Sequence, residues 1–212
     1  MRIDVWSDVV CPWCYLGKRR LEIAIADHPR SDEVEVHWHS YELDPDAPVG
    51  DDRPMAALIA KKYGITPEQA EAGQANLTRL AADVGLDYHL DRTRRANTFD
   101  AHRLLHLARE LGLQNQLKEA LLAAYFCEGR ALGDPDTLTE IAVGVGLDAE
   151  AVGAVLGSAE PYAEQVRHDE QAGVELGVTG VPFFVFGGRY SLAGAQDPEV
   201  LRKVIDRAFE EV

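Results

Sequence analysis

Cysteine is scarce in this chain. Only three cysteines occur among 212 residues, and two of them, Cys11 and Cys14, lie close together near the N-terminus. Small secreted domains that depend on disulfides carry more cysteines in shorter chains, so a disulfide scaffold is excluded. The hydrophobic fraction of 46% and the charged fraction of 27% are typical of a globular protein that folds around a hydrophobic core.

Long hydrophobic runs and an excess of positive charge are also missing. No apolar segment reaches the length of about 20 residues that a transmembrane helix needs, and no basic region followed by an apolar stretch opens the chain. The 21 Lys and Arg residues are outnumbered by 36 Asp and Glu, and the net charge of −15 repels a phosphate backbone. We therefore expect a cytoplasmic protein without a leader, a nucleic-acid partner or a membrane partner.

The two ends of the chain carry patterns of strands and helices in alternation. Apolar residues alternate over residues 2–6 and 34–43, and helical spacing fills residues 13–26 between them. This order predicts a βαβ unit with parallel strands and a right-handed crossover. The C-terminal end is predicted to contain two strands joined by a glycine turn and then a helix, at 181–186, 189–193 and 198–209.

The middle of the chain is helical in pattern, with glycines and a Gly-Asp-Pro segment at the breaks. The predicted helices cover residues 55–63, 66–84, 98–111, 114–126, 136–145, 149–157 and 162–176. The fold class is therefore α/β with a helical insertion. We expect one domain from residues 1–50 and 177–212, and an insertion domain over residues 51–176.

The segment Cys11-Pro12-Trp13-Cys14 falls between the first strand and the first helix. Cys11 is expected to cap the helix with Pro12 at its first position, where unpaired N–H groups and the helix dipole stabilise a thiolate. Cys11 would attack a disulfide, and Cys14 would then attack the mixed disulfide to release the partner. Pro12 stiffens the turn, and Trp13 offers an apolar face for substrate or for packing. We assign Pro12 and Trp13 to substrate binding.

A Cys-x-x-Cys pair can also be half of a zinc site. Zinc would need two further ligands, and no second Cys-x-x-Cys follows, so Cys127 and scattered histidines would have to converge on the pair. We therefore expect no metal at Cys11 and Cys14. Cys127 itself ends a predicted helix, as either a buried small residue or a regulatory thiol.

A second motif, Thr179-Gly180-Val181-Pro182, directly precedes an apolar strand. A proline is tolerated there if the Val181–Pro182 bond is cis, which leaves the Val181 backbone free to pair with an incoming peptide. Taken alone, such a proline is more often a trans residue at a strand edge. Val181 and Pro182 are our further candidates for substrate binding.

Together these motifs resemble the DsbA family, in particular its cytoplasmic FrnE-like branch. The resemblance covers nearly the whole chain and includes the segment 96–103 (Ala-Asn-Thr-Phe-Asp-Ala-His-Arg), which opens a helix of the insertion. It implies a thioredoxin-like fold with a large all-helical insertion between βαβ and ββα halves. It also implies that Cys11 and Cys14 are the redox pair and that Pro182 is a cis-proline facing them.

This sequence departs from periplasmic DsbA in two respects. We expect no leader in this chain, and Trp13 stands where a histidine would help to hold the thiolate. In a reducing compartment, a less oxidising pair could reduce, isomerise or repair disulfides.

Kappa-type glutathione transferases and 2-hydroxychromene-2-carboxylate isomerases resemble the chain at Asn97-Thr98-Phe99. They use glutathione and generally have serine where Cys11 stands, so the dithiol favours redox chemistry and leaves a glutathione-dependent isomerase or transferase as the alternative. Asn97 is a candidate for binding a peptide backbone or glutathione, although capping the helix that starts at Thr98 explains it equally well. A binding module with an inactive site is the third hypothesis.

The expected substrate is a protein or small molecule that carries a thiol or a disulfide. We expect no bound cofactor, with glutathione as a candidate electron donor or acceptor. The insertion offers either a substrate groove or a homodimer face.

His37 and His39 share a strand face and are expected to be surface or hydrogen-bonded histidines. Asp4 and Asp8 flank the first strand as candidates for a buried base that assists Cys14.

Overall fold

The computed structural model describes residues 1–48 and 53–210. The chain divides into two compact units: Met1–Leu43 together with Glu164–Val212 form the first, and Asp44–Ala163 form the second. Among the helices of the described residues, none combines the length and the apolar character needed to cross a membrane. The first unit carries the cysteine pair.

In the described part of the chain, one four-stranded sheet forms the centre of the first unit. Its strands are β1 (Arg2–Ser7), β2 (Glu35–Ser40), β3 (Phe183–Phe186) and β4 (Tyr190–Ala193), in the order β2-β1-β3-β4. β1 runs parallel to β2 and antiparallel to β3, and β3 runs antiparallel to β4. The parallel pairing of β1 and β2 confirms the predicted βαβ unit.

One face of the sheet is buried by α1 (Pro12–Ala26) and α9 (Pro198–Glu210). Alternation along β1 turns Ile3 and Val5 toward these helices, and each large apolar side chain buried there contributes about 1.5–3 kcal/mol. The fully or nearly buried residues of this core are Ile3, Val5, Leu21, Ala24, Trp38, Phe184, Phe186, Leu201, Ile205, Ala208 and Phe209.

The opposite face of β1 packs against α8 (Ala163–Glu175). The indole of Trp6 lies against Gly173, where a Cβ would come within 3.0 Å of the ring, and its Nε1 donates to the carbonyl of Asp169 at 2.7 Å. α8 therefore belongs to the first unit, whereas the sequence placed it in the insertion, with the boundary at residue 176. A helical pattern shows that a helix forms but not which neighbour covers its apolar side.

The second unit is helical in its described residues. Its helices are α2 (Met55–Tyr63), α3 (Pro67–Ala82), α4 (Phe99–Glu110), α5 (Gln114–Phe126), α6 (Pro135–Val145) and α7 (Ala149–Leu156). α3 begins with a capping box in which Thr66 and Gln69 bond each other's backbone N–H groups, as expected for a Thr-Pro-Glu-Gln segment. Residues 49–52, through which the predicted domain boundary at residue 50 passes, lie outside the described residues.

A buried arginine on α4 binds the end of α7 and the segment that follows it. Arg103 is 2% exposed, and its Nη1 donates to the carbonyls of Val155, Ser158 and Pro161 at 2.6, 2.6 and 3.2 Å. Its Nε and Nη2 donate to Asp100 Oδ1. One planar guanidinium thus serves several acceptors, which a single ammonium cannot match.

We expect Arg103→Lys to lower the free energy of unfolding by about 1–2 kcal/mol, because the charge stays while several hydrogen bonds from the buried guanidinium to backbone carbonyls are lost. Urea unfolding measures the effect. The matched control is Arg202→Lys on the exposed side of α9, for which a change below about 0.5 kcal/mol is expected. Equal stabilities of the two variants would show that Arg103 does not anchor the segment that follows α7.

Candidate active site

The two cysteines stand at the start of α1, a few residues beyond the end of β1. Cys11 is the N-cap residue and Pro12 occupies the first turn, as the sequence predicted. The N–H of Cys14 donates to the Cys11 carbonyl at 2.9 Å and closes this turn. Both thiols are unbonded to each other and buried, with Cys11 4% and Cys14 1% exposed.

The electrostatics of the helix start favour negative charge on the Cys11 sulfur. The N-terminal end of a helix carries about half a positive elementary charge on its unpaired N–H groups, and the cap residue lies next to it. Pro12, Trp13 and Cys14, which open α1, include no acidic side chain that would offset this charge. The position is therefore suited to a thiolate nucleophile.

The loop before β3 meets the cysteine pair at the same end of the sheet. Trp6 pairs with Phe183 across β1 and β3, so the residues that follow β1 and those that precede β3 leave the sheet together. The Val181–Pro182 peptide bond is cis. Cys11 Sγ lies 3.5 Å from the carbonyl oxygen of Val181, to which its S–H donates, although 170 positions separate the two residues.

A cavity of about 510 Å³ opens beside this contact. Trp13, which is 43% exposed, forms one wall. The described residues that line the cavity are apolar or small, and none is charged: Trp13, Gly177, Thr179, Gly180, Val181, Phe183, Ala193, Gly194 and Ala195. Such a lining suits an apolar group beside a reacting sulfur.

Asn97 lies in the helical unit, where it connects two segments of the backbone. Its Nδ2 donates to the carbonyl of Pro45, and its Oδ1 accepts from the N–H of Phe99, both at 3.0 Å. Thr98 precedes α4 but makes no capping hydrogen bond with its side chain. Asn97 therefore serves the start of α4, and its role toward a peptide or glutathione stays a prediction.

His39, for which the sequence predicted a surface or hydrogen-bonded position, lies between two carboxylates. His39 Nε2 lies 2.7 Å from Asp4 Oδ1, and its Nδ1 lies 2.7 Å from Asp169 Oδ1. The ring also stacks on Trp6 with a centroid separation of 4.4 Å. The alternation of His37 and His39 was visible in the sequence, but nothing indicated that Asp169, 130 residues away, would complete the arrangement.

The groups around His39 shift one another's pKa values toward the charged forms. Burial alone lowers the pKa of His39, but hydrogen bonds with Asp169 and Asp4 outweigh it and raise the pKa above its ordinary value. Burial likewise raises the pKa of Asp4, whereas hydrogen bonds with His39 and Arg2 lower that pKa to about 2. The cluster fastens α8 to β1 and β2, and α8 leads directly into the loop of Val181.

The other residues singled out from the sequence have local partners. The Asp8 side chain is buried and accepts from the N–H of Leu43 at 2.8 Å, so the chain turns away after Ser40 and β2 ends earlier than predicted. Assistance by Asp8 to Cys14 stays a prediction.

Cys127 is half-buried at the end of α5, and burial raises the pKa of its thiol.

Two histidines one turn apart on α4 have the spacing of a helical metal-binding pair. His106 stacks on Tyr162 with ring centroids 6.4 Å apart, and His102 is buried. Across residues 1–48 and 53–210, no three His, Cys, Asp or Glu side chains group closely enough to hold a metal ion. His102 and His106 therefore belong to the core of the helical unit.

This chain is similar to a known protein family and to solved structures of other proteins. The family model of the DSBA-like thioredoxin domain matches residues 2–206. The probable DsbA oxidoreductase SCO1869 from Streptomyces coelicolor is similar over 100% of this chain and 91% of that one, with 45% identity and a TM-score of 0.94.

The other two structures are more distant in sequence. The cytosolic disulfide reductase DsbM from Pseudomonas aeruginosa, solved with glutathione, has 20% identity and a TM-score of 0.69 over 99% of this chain and 100% of that one. A 2-hydroxychromene-2-carboxylate isomerase has 17% identity and a TM-score of 0.69 over 100% of this chain and 97% of that one. At these identities the likeness concerns the fold alone.

Proposed function

Because the chain belongs to the family of DSBA-like thioredoxin domains, we propose that it is a thiol–disulfide oxidoreductase acting through Cys11 and Cys14. The family resemblance and the thioredoxin-like fold predicted from the sequence are confirmed by the family model and the similar structures. The observation that carries the proposed activity is the position of Cys11. Its sulfur lies at the N-cap of α1 and 3.5 Å from the Val181 carbonyl.

The reaction proceeds in two exchange steps. The Cys11 thiolate attacks one sulfur of a substrate disulfide, a Cys11–substrate disulfide forms, and the other substrate sulfur leaves as a thiolate that takes up a proton. Cys14 then loses its proton and attacks Cys11 Sγ, which releases the second substrate thiol. The substrate disulfide is reduced to two thiols, and the enzyme dithiol is oxidised to a Cys11–Cys14 disulfide; the reverse sequence oxidises a substrate.

The surroundings of the pair favour a peptide substrate in an extended conformation. Val181 and Pro182 present backbone next to Cys11, and the uncharged cavity walled by Trp13 accepts an apolar side chain that flanks the substrate cystine. Pro12 keeps the turn of the cysteine pair rigid, since its ring fixes φ. These four residues form the proposed substrate-binding set.

We place the activity in the cytoplasm, with glutathione as the electron donor that restores the dithiol. Two glutathione molecules supply two electrons and two protons, and they leave as glutathione disulfide. This assignment is supported by the likeness to a cytosolic disulfide reductase solved with glutathione. It makes the protein a reductase or isomerase of disulfides rather than a net oxidant.

A redox titration tests the proposal. The protein is equilibrated in glutathione buffers of graded ratio, the remaining thiols are alkylated, and intact mass with peptide mapping assigns them to Cys11, Cys14 or Cys127. We expect Cys11 and Cys14 to be lost together and reversibly, while Cys127 stays reduced. A stable glutathione adduct on Cys11 without a Cys11–Cys14 disulfide would favour the glutathione-dependent isomerase or transferase instead.

A further inference from the structure

The helix that carries both cysteines has a glycine at its contact with the loop of Val181. A Cβ placed on Gly17 would lie 2.8 Å from Cγ of Pro182 and 3.3 Å from Cζ of Phe184. Real Cβ atoms essentially never approach another heavy atom below 3.0 Å, and ordinary contacts begin at 3.4 Å. An alanine at this position would therefore have to displace the Pro182 ring or the helix.

The backbone of α1 does not itself require glycine at this position. Gly17 is absent from the glycines with positive φ, so its conformation is open to any residue. Within a helix, glycine is less stable than alanine by about 1 kcal/mol. The close approach of Pro182 is thus the physical reason for glycine at residue 17.

Two adjacent residues of the loop touch the same helix. Pro182 lies against Gly17, and the carbonyl of Val181 accepts from Cys11 at the helix start. α1 is fixed by the apolar core through Leu21 and Ala24. In the loop, Pro182 is buried against the helix, whereas Thr179 is exposed and Val181 is only partly buried. A group added at residue 17 would accordingly move the loop and would carry the Val181 carbonyl away from Cys11.

We propose that Gly17 is a positioning residue of the cysteine site: it sets the separation between the Val181 carbonyl and the Cys11 sulfur by admitting the Pro182 ring onto α1. For its effect on turnover, the inference rests on the proposed function. In the reduced protein the carbonyl accepts the Cys11 S–H, and Cys11 is buried beside it. The same loop backbone must lie beside the substrate when the mixed disulfide forms.

The test compares Gly17→Ala with Gly73→Ala. Gly73 lies inside α3 on an exposed side, and apart from its chain neighbours and the helix's own backbone no described atom lies within 4 Å of a Cβ placed there. The fully reduced proteins are alkylated with iodoacetamide at neutral pH, and the rate at Cys11 is read by mass spectrometry. KM and kcat are measured separately with a cystine-containing peptide and glutathione.

We expect Gly17→Ala to raise the alkylation rate at Cys11 by about fivefold, the equivalent of one lost hydrogen bond. KM for the peptide should rise by a similar factor while kcat changes less, because the displaced loop binds substrate poorly. Gly73→Ala should leave both quantities unchanged. If Gly17→Ala matches Gly73→Ala in alkylation rate and in KM, the inference is wrong.

A second pair of variants separates positioning from a general loss of stability. In a Pro182→Ala background the ring is gone, so Gly17→Ala should no longer change the alkylation rate. If Gly17→Ala alone does not fold, the double variant must fold, because the 2.8 Å contact with Cγ of Pro182 is removed and only the milder 3.3 Å contact with Phe184 stays; failure of both overturns the inference. Alkylation needs no disulfide chemistry, so this result stands apart from the redox titration that tests the proposed function.

Discussion

Replacing Cys11 with serine is expected to abolish disulfide exchange, and replacing Cys14 with serine is expected to trap the reaction halfway. A serine hydroxyl is not ionised near neutral pH, so Cys11→Ser should lower the rate by at least about a thousandfold, as loss of a nucleophile does in other enzymes. Cys14→Ser keeps the attacking thiolate but lacks the group that releases the partner. A covalent adduct of one substrate thiol on Cys11 should accumulate.

The measurement is intact mass after incubation with a cystine-containing peptide, together with the rate of peptide reduction by each variant. Cys127→Ser is the matched control, because Cys127 lies at the end of α5 in the helical unit and takes no part in the proposed chemistry. It should retain full activity and form no adduct. Full turnover by Cys14→Ser with glutathione would mean that a single thiol suffices, which would contradict the dithiol mechanism.

Replacing His39 with glutamine should produce the largest loss of stability among the variants considered. The side chain of His39 bridges Asp4 on β1 and Asp169 on α8, and removing one member of a buried ionic arrangement typically costs about 3 kcal/mol or more. Asp4 keeps Arg2 and Asp169 keeps the N–H of Ser40, so we expect a loss of about 2–3 kcal/mol. Urea unfolding measures this difference.

The stability lost in His39→Gln should depend on pH. The raised pKa of His39 means that its stabilisation is present below its ordinary pKa of 6.5 and disappears as the pH rises through the higher folded value. The pKa of Asp4, lowered from 3.8 to about 2, means that its stabilisation is present above about 4 and disappears as the pH falls toward 2. The difference between wild type and variant is therefore expected to be largest between about pH 4 and 6.5.

His37→Gln is the control for this prediction. His37 lies two residues away on the same face of β2, and its ring pairs with Glu35, whose side chain is 74% exposed. A contact so open to solvent contributes little to stability, because water screens it. Equal unfolding free energies for the two variants at pH 5.5 would show that the cluster around His39 does not fasten α8 to the sheet.

The elements that the sequence predicted best are those set by neighbours along the chain. The helices predicted at residues 55–63 and 114–126 have these same bounds in the structure. α1 begins at Pro12 because proline fits the first turn, where its missing N–H would have no partner. The strands of the βαβ unit followed from alternation, although β2 ends at Ser40 instead of residue 43.

Other features could not be read from local patterns. The placement of Pro182 beside the cysteines was implied by a family resemblance, since periodicity shows only that a strand follows it. The packing of α8 on β1 depends on Gly173 meeting Trp6, a contact between residues far apart in the chain. The same holds for the meeting of Gly17 and Pro182, because a glycine inside a helix carries no sign of what lies against it.

The sequence by itself determined most of the secondary structure and the position of Cys11 at a helix start, because capping, alternation and helical spacing act within a few residues. The family followed from the resemblance of the two motifs. Only the tertiary structure decided that Cys11 faces the carbonyl of Val181 across 170 positions and that His39 joins two carboxylates. These contacts depend on how the helices and strands pack. Packing is a property of the whole unit, since each contact requires that the elements on both sides already have their final positions.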